Sequence, residues 1–515
     1  MKNGRMHNKW LIAITVMSGA IMAAFDTSIV NVALPQMRGS LGASVEEITW
    51  VSTGYILSSV IIMPMIAFLT TRFGRKRFYI FSALLFTCFS TLCGFAWDLQ
   101  SMILFRIVQG IGGGTLMVVS LAILRETFPP EEQGIAMGIY GFGVILGPAI
   151  GPTLGGWLTD SYSWQWIFYI KWPLGILNVL LIIKFIYDPP YLVREKGNFD
   201  LAGLFFMAIG LGAVQIILAK GNRQDWFESN LIVVLAIISI AAISIFIWRE
   251  LTTEKPAVDL RLLKNVNFSS ACLFAGFLHL ALMGSLFLFP LFLQQLLGYP
   301  VLDSGLALLP RSVAMMVAMP LGGRMYNAVG PRILIGAGTF LNILSFYQFA
   351  HLSLETSYWD IFFPQVCQGL GFGFIFVALS TAALSGIENR SMTAAAGLFN
   401  VISQVFGSAG IALIATLLTR HQSWSRAILV ERVTVFSDTA TETIEKISSM
   451  LLSKGINPSD VRDSAIKTLE SIVMKQADML AYEYVFYLLC FLFIILISLV
   501  FFIKQDKKFF ERESV

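Results

Sequence analysis

The sequence is short of charge. Of 515 residues only 13% are Asp, Glu, Lys or Arg, against 56% hydrophobic and a mean hydropathy of +0.73. That balance excludes a soluble globular domain. It indicates an all-α polytopic membrane protein, because a chain in hydrocarbon must satisfy its own backbone. Cysteine is sparse. The five present (Cys88, Cys93, Cys272, Cys367, Cys490) lie in apolar runs without metal-ligand spacing or a disulfide framework, so no metal site and no cofactor is expected. No G-x-x-x-x-G-K-[ST] occurs, and no cytoplasmic segment reaches enzymatic size, which argues against an ATP-driven pump. The net charge of +4 is scattered over short loops and offers no face for nucleic acid. A basic start at Lys2, Arg5 and Lys9 precedes an apolar run, as in a signal peptide. The run is too long and carries Asp26 and Asn31, so it is read as a first span.

A span needs roughly 20 apolar residues. Fourteen runs qualify, at about 10–34, 47–70, 78–97, 101–124, 135–157, 167–187, 201–219, 230–249, 268–292, 304–326, 333–352, 360–384, 393–418 and 481–503. An even number puts both termini on one side. One set of loops holds Lys2, Arg5, Lys9, Arg72, Arg75, Lys76, Arg77, Arg125, Arg194, Lys196, Arg249, Lys255, Arg261, Lys264, Arg324, Arg332, Arg390, Lys504, Lys507 and Lys508. The opposite short loops hold little beyond Arg38, Lys220 and Arg223. By the positive-inside rule both termini are expected in the cytoplasm.

The chain repeats itself. Pro35 matches Pro290, and Pro64 with Gly74 matches Pro320 with Gly330. Gln109-Gly110-x-Gly112-x-Gly114 matches Gln368-Gly369-x-Gly371-x-Gly373. Spans one to six therefore recur as spans nine to fourteen, in parallel, about an axis along the membrane normal. The expected units are an N-terminal half (1–187), a linker with two inserted spans (188–265), a C-terminal half (266–503) and a tail (504–515). One loop is long, 419–480, and lies outside. Asn457-Pro458 reads as a helix start, with Val461, Ala465, Leu469, Ile472 and Val473 on one face. It is either a small lid or a docking surface for a periplasmic partner.

The stretch Gly141 to Trp157, GFGVILGPAIGPTLGGW, carries Gly143, Gly147, Gly151 and Gly155 on one helical stripe, with Pro148 and Pro152 beside it. Such a helix is poor in water. In a bilayer the stripe admits a neighbouring helix to backbone contact and the prolines bend the rod. Two charges sit where charge is costly: Asp26 in span one and Arg106 in span four, each on the order of 3 kcal/mol at mid-helix. Their depths agree, so they can pair, and a carboxyl between burial and an arginine can carry a proton. Arg311 and Lys171 also lie at outer-half depth. Lys171 is expected to snorkel to the interface, and His279 to be a hydrogen-bonded core residue. Gln109, Arg311, Gln368, Asn400 and Gln404 are candidates for a substrate cavity. The loop Arg72-Phe73-Gly74-Arg75-Lys76-Arg77 has Gly74 for a tight turn, mirrored by Gly330-Pro331-Arg332.

Together these residues resemble the EmrB/QacA-type fourteen-span drug:proton antiporters of the major facilitator superfamily, over nearly the whole chain. The glycine stripe resembles the fifth-span motif G-x-x-x-G-P-x-x-G-G of exporters. DTSIVNVALP (26–35) is similar to that branch's first-span motif. RFGRKR (72–77) resembles the end of G-x-L-x-D-R-x-G-R-K, with Ala67 for the leading Gly and Thr71 for the acid. Arg106, Gln109 and Gly110 match the fourth-span motif, whose arginine the family links to proton coupling. WQWIFYIKWPLG (164–175) resembles W-R-W-I-F-x-I-N-V-P-x-G, with Gln165 for Arg and Lys171 for Asn. NVISQVFGSAG (400–410) resembles N-x-x-R-Q-x-G-G-S-x-G, with Ser403 for Arg. The resemblance implies a major facilitator fold and rocker-switch export of hydrophobic compounds against protons, coupled through Asp26 and Arg106. It also implies an inner-membrane location, a periplasmic adaptor (membrane fusion protein) and an outer-membrane channel. Alternatives that stay open are an importer, a dedicated metabolite or siderophore exporter, a polytopic membrane enzyme, and a sensor or scaffold.

Overall fold

The computed structural model describes residues 8–189, 200–253, 258–433, 437–453 and 457–501. The tail 504–515 and the basic residues Lys2, Arg5, Arg194, Lys196 and Lys255 lie outside them. No strand occurs among the described residues. The long helices are α1 (Lys9–Ser40), α2 (Glu46–Phe73), α3 (Arg75–Gly94), α4 (Leu99–Thr127), α5 (Gln133–Ser161), α6 (Lys171–Phe185), α7 (Leu201–Lys220) and α8 (Asn230–Thr252). They continue with α9 (Val266–Leu291), α10 (Leu309–Val329), α11 (Pro331–Phe349), α12 (Tyr358–Ala383), α13 (Met392–Arg432), α14 (Asp438–Ser453) and α15 (Pro458–Val500). Thirteen helices among the described residues are long and apolar enough to cross a membrane by themselves. The eleventh run of the sequence is α11, whose apolar length is diluted by Asn342 and Ser345, both fully buried.

Local chemistry sets the ends. Asn8 caps α1 by accepting from Trp10 N at 3.0 Å. Asp98 caps α4 in a capping box with Ser101, whose hydrogen bonds hold the Asp98 carboxyl below the usual carboxylate range. Gly74 and Gly330 both take positive φ, 85° and 81°, at the short turns leaving α2 and α10. Matching turns at repeat-related positions are the backbone expression of the repeat. Pro64 loosens α2 into a 3-10 turn at Met63–Met65, whereas Pro148 and Pro152 lie inside a continuous α5.

Helices α1–α6 pack on one another, as do α9–α13 with α15. The two groups meet near one end of the bundle, the end that carries the basic 72–77 loop. A Cβ on Gly134 of α5 would lie 2.4 Å from the Gly323 carbonyl oxygen of α10, and one on Gly397 of α13 would lie 2.7 Å from Met63 O. Arg75 donates to Thr393 Oγ1 at 3.2 Å across the same seam. Between the groups, α7 packs on α8 and α2, and the turn after α7 touches α13 of the C-terminal half. Lys220 Nζ lies 4.7 Å over the Trp50 ring, and Trp226 Nε1 donates to Thr416 Oγ1 of α13 at 2.9 Å.

The long 419–480 loop is mostly helix among its described residues, as expected, and starts a helix at Pro458. α13 and α15 continue without a break beyond their apolar stretches and are joined by Arg426–Glu470 at 2.9 Å and by a His421–Tyr484 ring stack at 4.0 Å. Val461 and Ala465 are buried, but Ile472 is 45% exposed, so the expected apolar face is only half covered.

A buried charge cluster as the candidate functional site

Asp26 and Arg106 do meet. Arg106 Nη1 donates to Asp26 Oδ2 at 2.5 Å, and both side chains are essentially inaccessible. Three further anchors fix the guanidinium. Its Nε donates to Val51 O at 3.0 Å, Nη1 also donates to Gln109 Oε1 at 2.8 Å, and its plane lies 4.3 Å from the Tyr55 ring centroid. Gln109 completes the circuit by donating from Nε2 to Asp26 Oδ1 at 3.0 Å. Gln109 thus stands inside the charge cluster.

Lys171 is a correction to the sequence reading. It does not snorkel to the interface. It is fully buried and donates from Nζ to Asp26 Oδ1. The cause is local: the chain makes a short helix at Trp166–Tyr169, and α6 then begins at Lys171. That entry aims Nζ into the bundle and over the Phe168 ring at 4.8 Å. A carboxylate in hydrocarbon is a stronger attractor than a distant interface. The signal that would have found it was the common depth of Lys171, Asp26 and Arg106. One carboxylate thus answers two basic side chains, from α4 and α6; with Lys171 protonated beside the permanently charged Arg106, the cluster's formal charge is +1.

The glycine stripe builds the wall behind Asp26. A Cβ on Gly147 would lie 2.6 Å from the Ala24 carbonyl carbon and the Phe25 nitrogen of α1, and one on Gly151 2.7 Å from Ser28 Oγ. Gly143 faces Met17 and Gly155 faces Ile29 in the same way. The N-terminal third of α5, with Gly134 and Gly138, faces α10 of the other half instead. In the basic loop, Arg75 forms a bidentate pair with Glu126 of α4 at 2.6 and 3.0 Å, and Lys76 N donates to Asp188 at 2.7 Å. Thr71, at the acidic position of the motif, donates back to Phe68 O at 2.8 Å, so the carboxylate partner of Arg75 comes from α4. Arg72 is exposed beside Phe73.

In the C-terminal half the structure brings Arg311 to Gln368, whose Oε1 accepts from Nη1 at 3.1 Å. Ser285 Oγ, which the sequence reading missed, accepts from the same nitrogen at 3.3 Å. Asn400 instead donates to Ala396 O of its own helix at 2.8 Å, and Gln404 is half-buried one turn further on. His279 is hydrogen-bonded to Ala275 O at 3.0 Å, as a core histidine should be.

Two six-helix groups related by a parallel repeat, sealed against each other at one end and holding buried charge, define a membrane transporter. The family model described as Major Facilitator Superfamily matches residues 16–411, and the chain belongs to that family, among transporters and not enzymes. It is 34% identical over 83% of its length to the multidrug export protein EmrB of Haemophilus influenzae, covering 84% of that protein. It is 31% identical to the fatty acid resistance protein FarB of Neisseria gonorrhoeae over 96% of each chain. Its fold is shared with the human organic anion transporter MFSD10 (TETRAN), at a TM-score of 0.59 and 13% identity, covering 94% of this chain and 99% of that one.

Proposed function

We propose that this chain is a proton-driven exporter of hydrophobic small molecules, working by rocking its halves (1–187 and 266–503) about a central site. The observation that carries the reading is the sharing of one buried carboxylate, Asp26, by Arg106 and Lys171. Protonation and the double ion pair exclude each other. A proton arriving on Asp26 from outside removes the charge that holds Lys171, frees two cations in low dielectric, and so drives a rearrangement. Substrate leaves outward in that state. When the halves reverse, the proton passes to the cytoplasm and the pairs re-form. The seal at Gly134–Gly323, Met63–Gly397 and Arg75–Thr393 suits the outward-facing stage of that cycle. The names of the EmrB and FarB relatives support export of drug-like and hydrophobic compounds.

The chain sits in the inner membrane with both termini cytoplasmic. The outer ends of α13 and α15, with α14, form an arm that docks a periplasmic adaptor leading to an outer-membrane channel. Its projecting apolar side chains support this: Trp424, Met450, Ile466 and Ile472 are 45–59% exposed.

The test is uptake of a fluorescent lipophilic compound into energised inside-out vesicles. Uptake that a protonophore abolishes, and that Asp26→Asn also abolishes, supports the proposal. Uptake indifferent to both refutes it.

A further inference from the structure

Arg311 is 2% exposed, yet among the described residues no carboxylate pairs with it. Its Nη1 is engaged by Ser285 and Gln368. Its Nη2 has no partner. Neither has Gln368 Nε2, which lies two bonds from the oxygen that Nη1 holds. One turn earlier on α12, Gln365 is fully buried with both amide atoms unpaired. In the other half the cations at matching depth, Arg106 and Lys171, both reach Asp26, but here a guanidinium stands without counter-charge. That is among the costlier arrangements in a membrane.

The local backbone keeps these groups together. A Cβ on Gly369 would lie 2.2 Å from Arg311 O, so α10 and α12 touch main chain to main chain at this level. Arg311 Nη2 and Gln368 Nε2 are thus unpaired donors on two groups already joined by a hydrogen bond, one charged and one neutral. A carboxylate has one oxygen for each and a single charge for the single cation, whereas a dianion would leave one charge unanswered. The same two helices line a mostly apolar crevice of about 700 Å3 through Pro310, Val313, Phe362 and Val366; Asp303 also lies on its wall and Arg311 does not, so the crevice offers room for a hydrocarbon or aryl tail beside the cluster and not for its carboxylate.

We infer that Arg311, with Gln368 and Gln365, receives the carboxylate of an amphiphilic organic anion, which makes hydrophobic carboxylates substrates of this protein. The inference rests on the export reading only in calling the ligand a substrate, and binding at equilibrium tests it without any gradient. Full-length protein in lipid nanodiscs is titrated with 11-(dansylamino)undecanoic acid and with its uncharged methyl ester. The acid is expected to bind at least tenfold tighter than the ester. Arg311→Gln should bring the acid down to the ester's affinity and leave the ester unchanged, and Gln368→Leu should weaken the acid several-fold. Arg311→Lys, which keeps the charge but loses the fork, should fall between and serves if Arg311→Gln does not fold. Equal binding of acid and ester, acid binding indifferent to these substitutions, or no binding of either probe overturns the inference. Protonophore-insensitive flux with intact acid binding would sink the export reading alone.

Discussion

The two halves share a scaffold and treat buried charge in opposite ways. In the N-terminal half two cations converge on Asp26, and Gln109 spends both ends of its amide on the same cluster. In the C-terminal half one cation stands among amides with free donors. Their glycine contacts differ as well. In the first half the small residues are on α5 and admit α1, whereas in the second both helices contribute: Gly276 and Gly284 of α9 face Phe406 and Ile414, and Gly410 of α13 faces the Leu280 main chain. A repeat preserves where helices touch while each copy fills the contact differently. The half whose cations share one carboxylate is suited to exchanging protons, and the half whose buried arginine has no carboxylate is suited to holding an anion.

The comparison breaks first at the charges. Asp26→Ala strips the partner from two buried cations and should cost about 3–5 kcal/mol, seen as loss of monodisperse protein on size exclusion. Adding Lys171→Met should restore much of that yield. Arg311→Leu, which orphans no opposite charge, should leave the yield unchanged or raise it. A smaller effect is expected at the backbone contacts. Gly147→Ala drives a methyl into α1 and should lower thermal stability by about 1–3 kcal/mol. Gly336→Ala in the other half, with nothing within 4 Å, should be neutral or slightly stabilising. At the seam, Gly134→Val collides with α10 and should favour opening to the cytoplasm. Labelling of a cysteine placed at Thr393 by an impermeant thiol reagent, applied to inside-out vesicles, should rise several-fold. The smallest effect belongs to the arm. Arg426→Ala removes a pair whose side chains are 48% and 58% exposed and should change stability by less than about 1 kcal/mol in a thermal melt.

Much of this was legible in the residues. Prolines and glycines at constant offset revealed the repeat because they mark kinks and turns, and Gly74 and Gly330 do share one conformation. The pairing of Asp26 with Arg106 followed from cost and depth. The place of Lys171 did not, because its direction is set by a four-residue helix, Trp166–Tyr169, too short to leave a periodic signal. Ser285 and Gln365 were missed because one hydroxyl or amide in an apolar run is unremarkable until a cation is beside it. The unbroken continuation of α13 and α15 beyond their spans was hidden by polar, helix-compatible sequence that reads equally well as several short pieces.

The most direct test separates coupling from binding in one vesicle preparation. Exchange of labelled amphiphilic carboxylate across the membrane without a gradient is compared with its accumulation under an imposed proton gradient. The charge-balanced pair Asp26→Asn/Lys171→Met is predicted to keep exchange and lose gradient-driven accumulation, while Arg311→Gln loses both. Accumulation that persists in the double variant, or exchange that persists in Arg311→Gln, would contradict the division of labour between the halves.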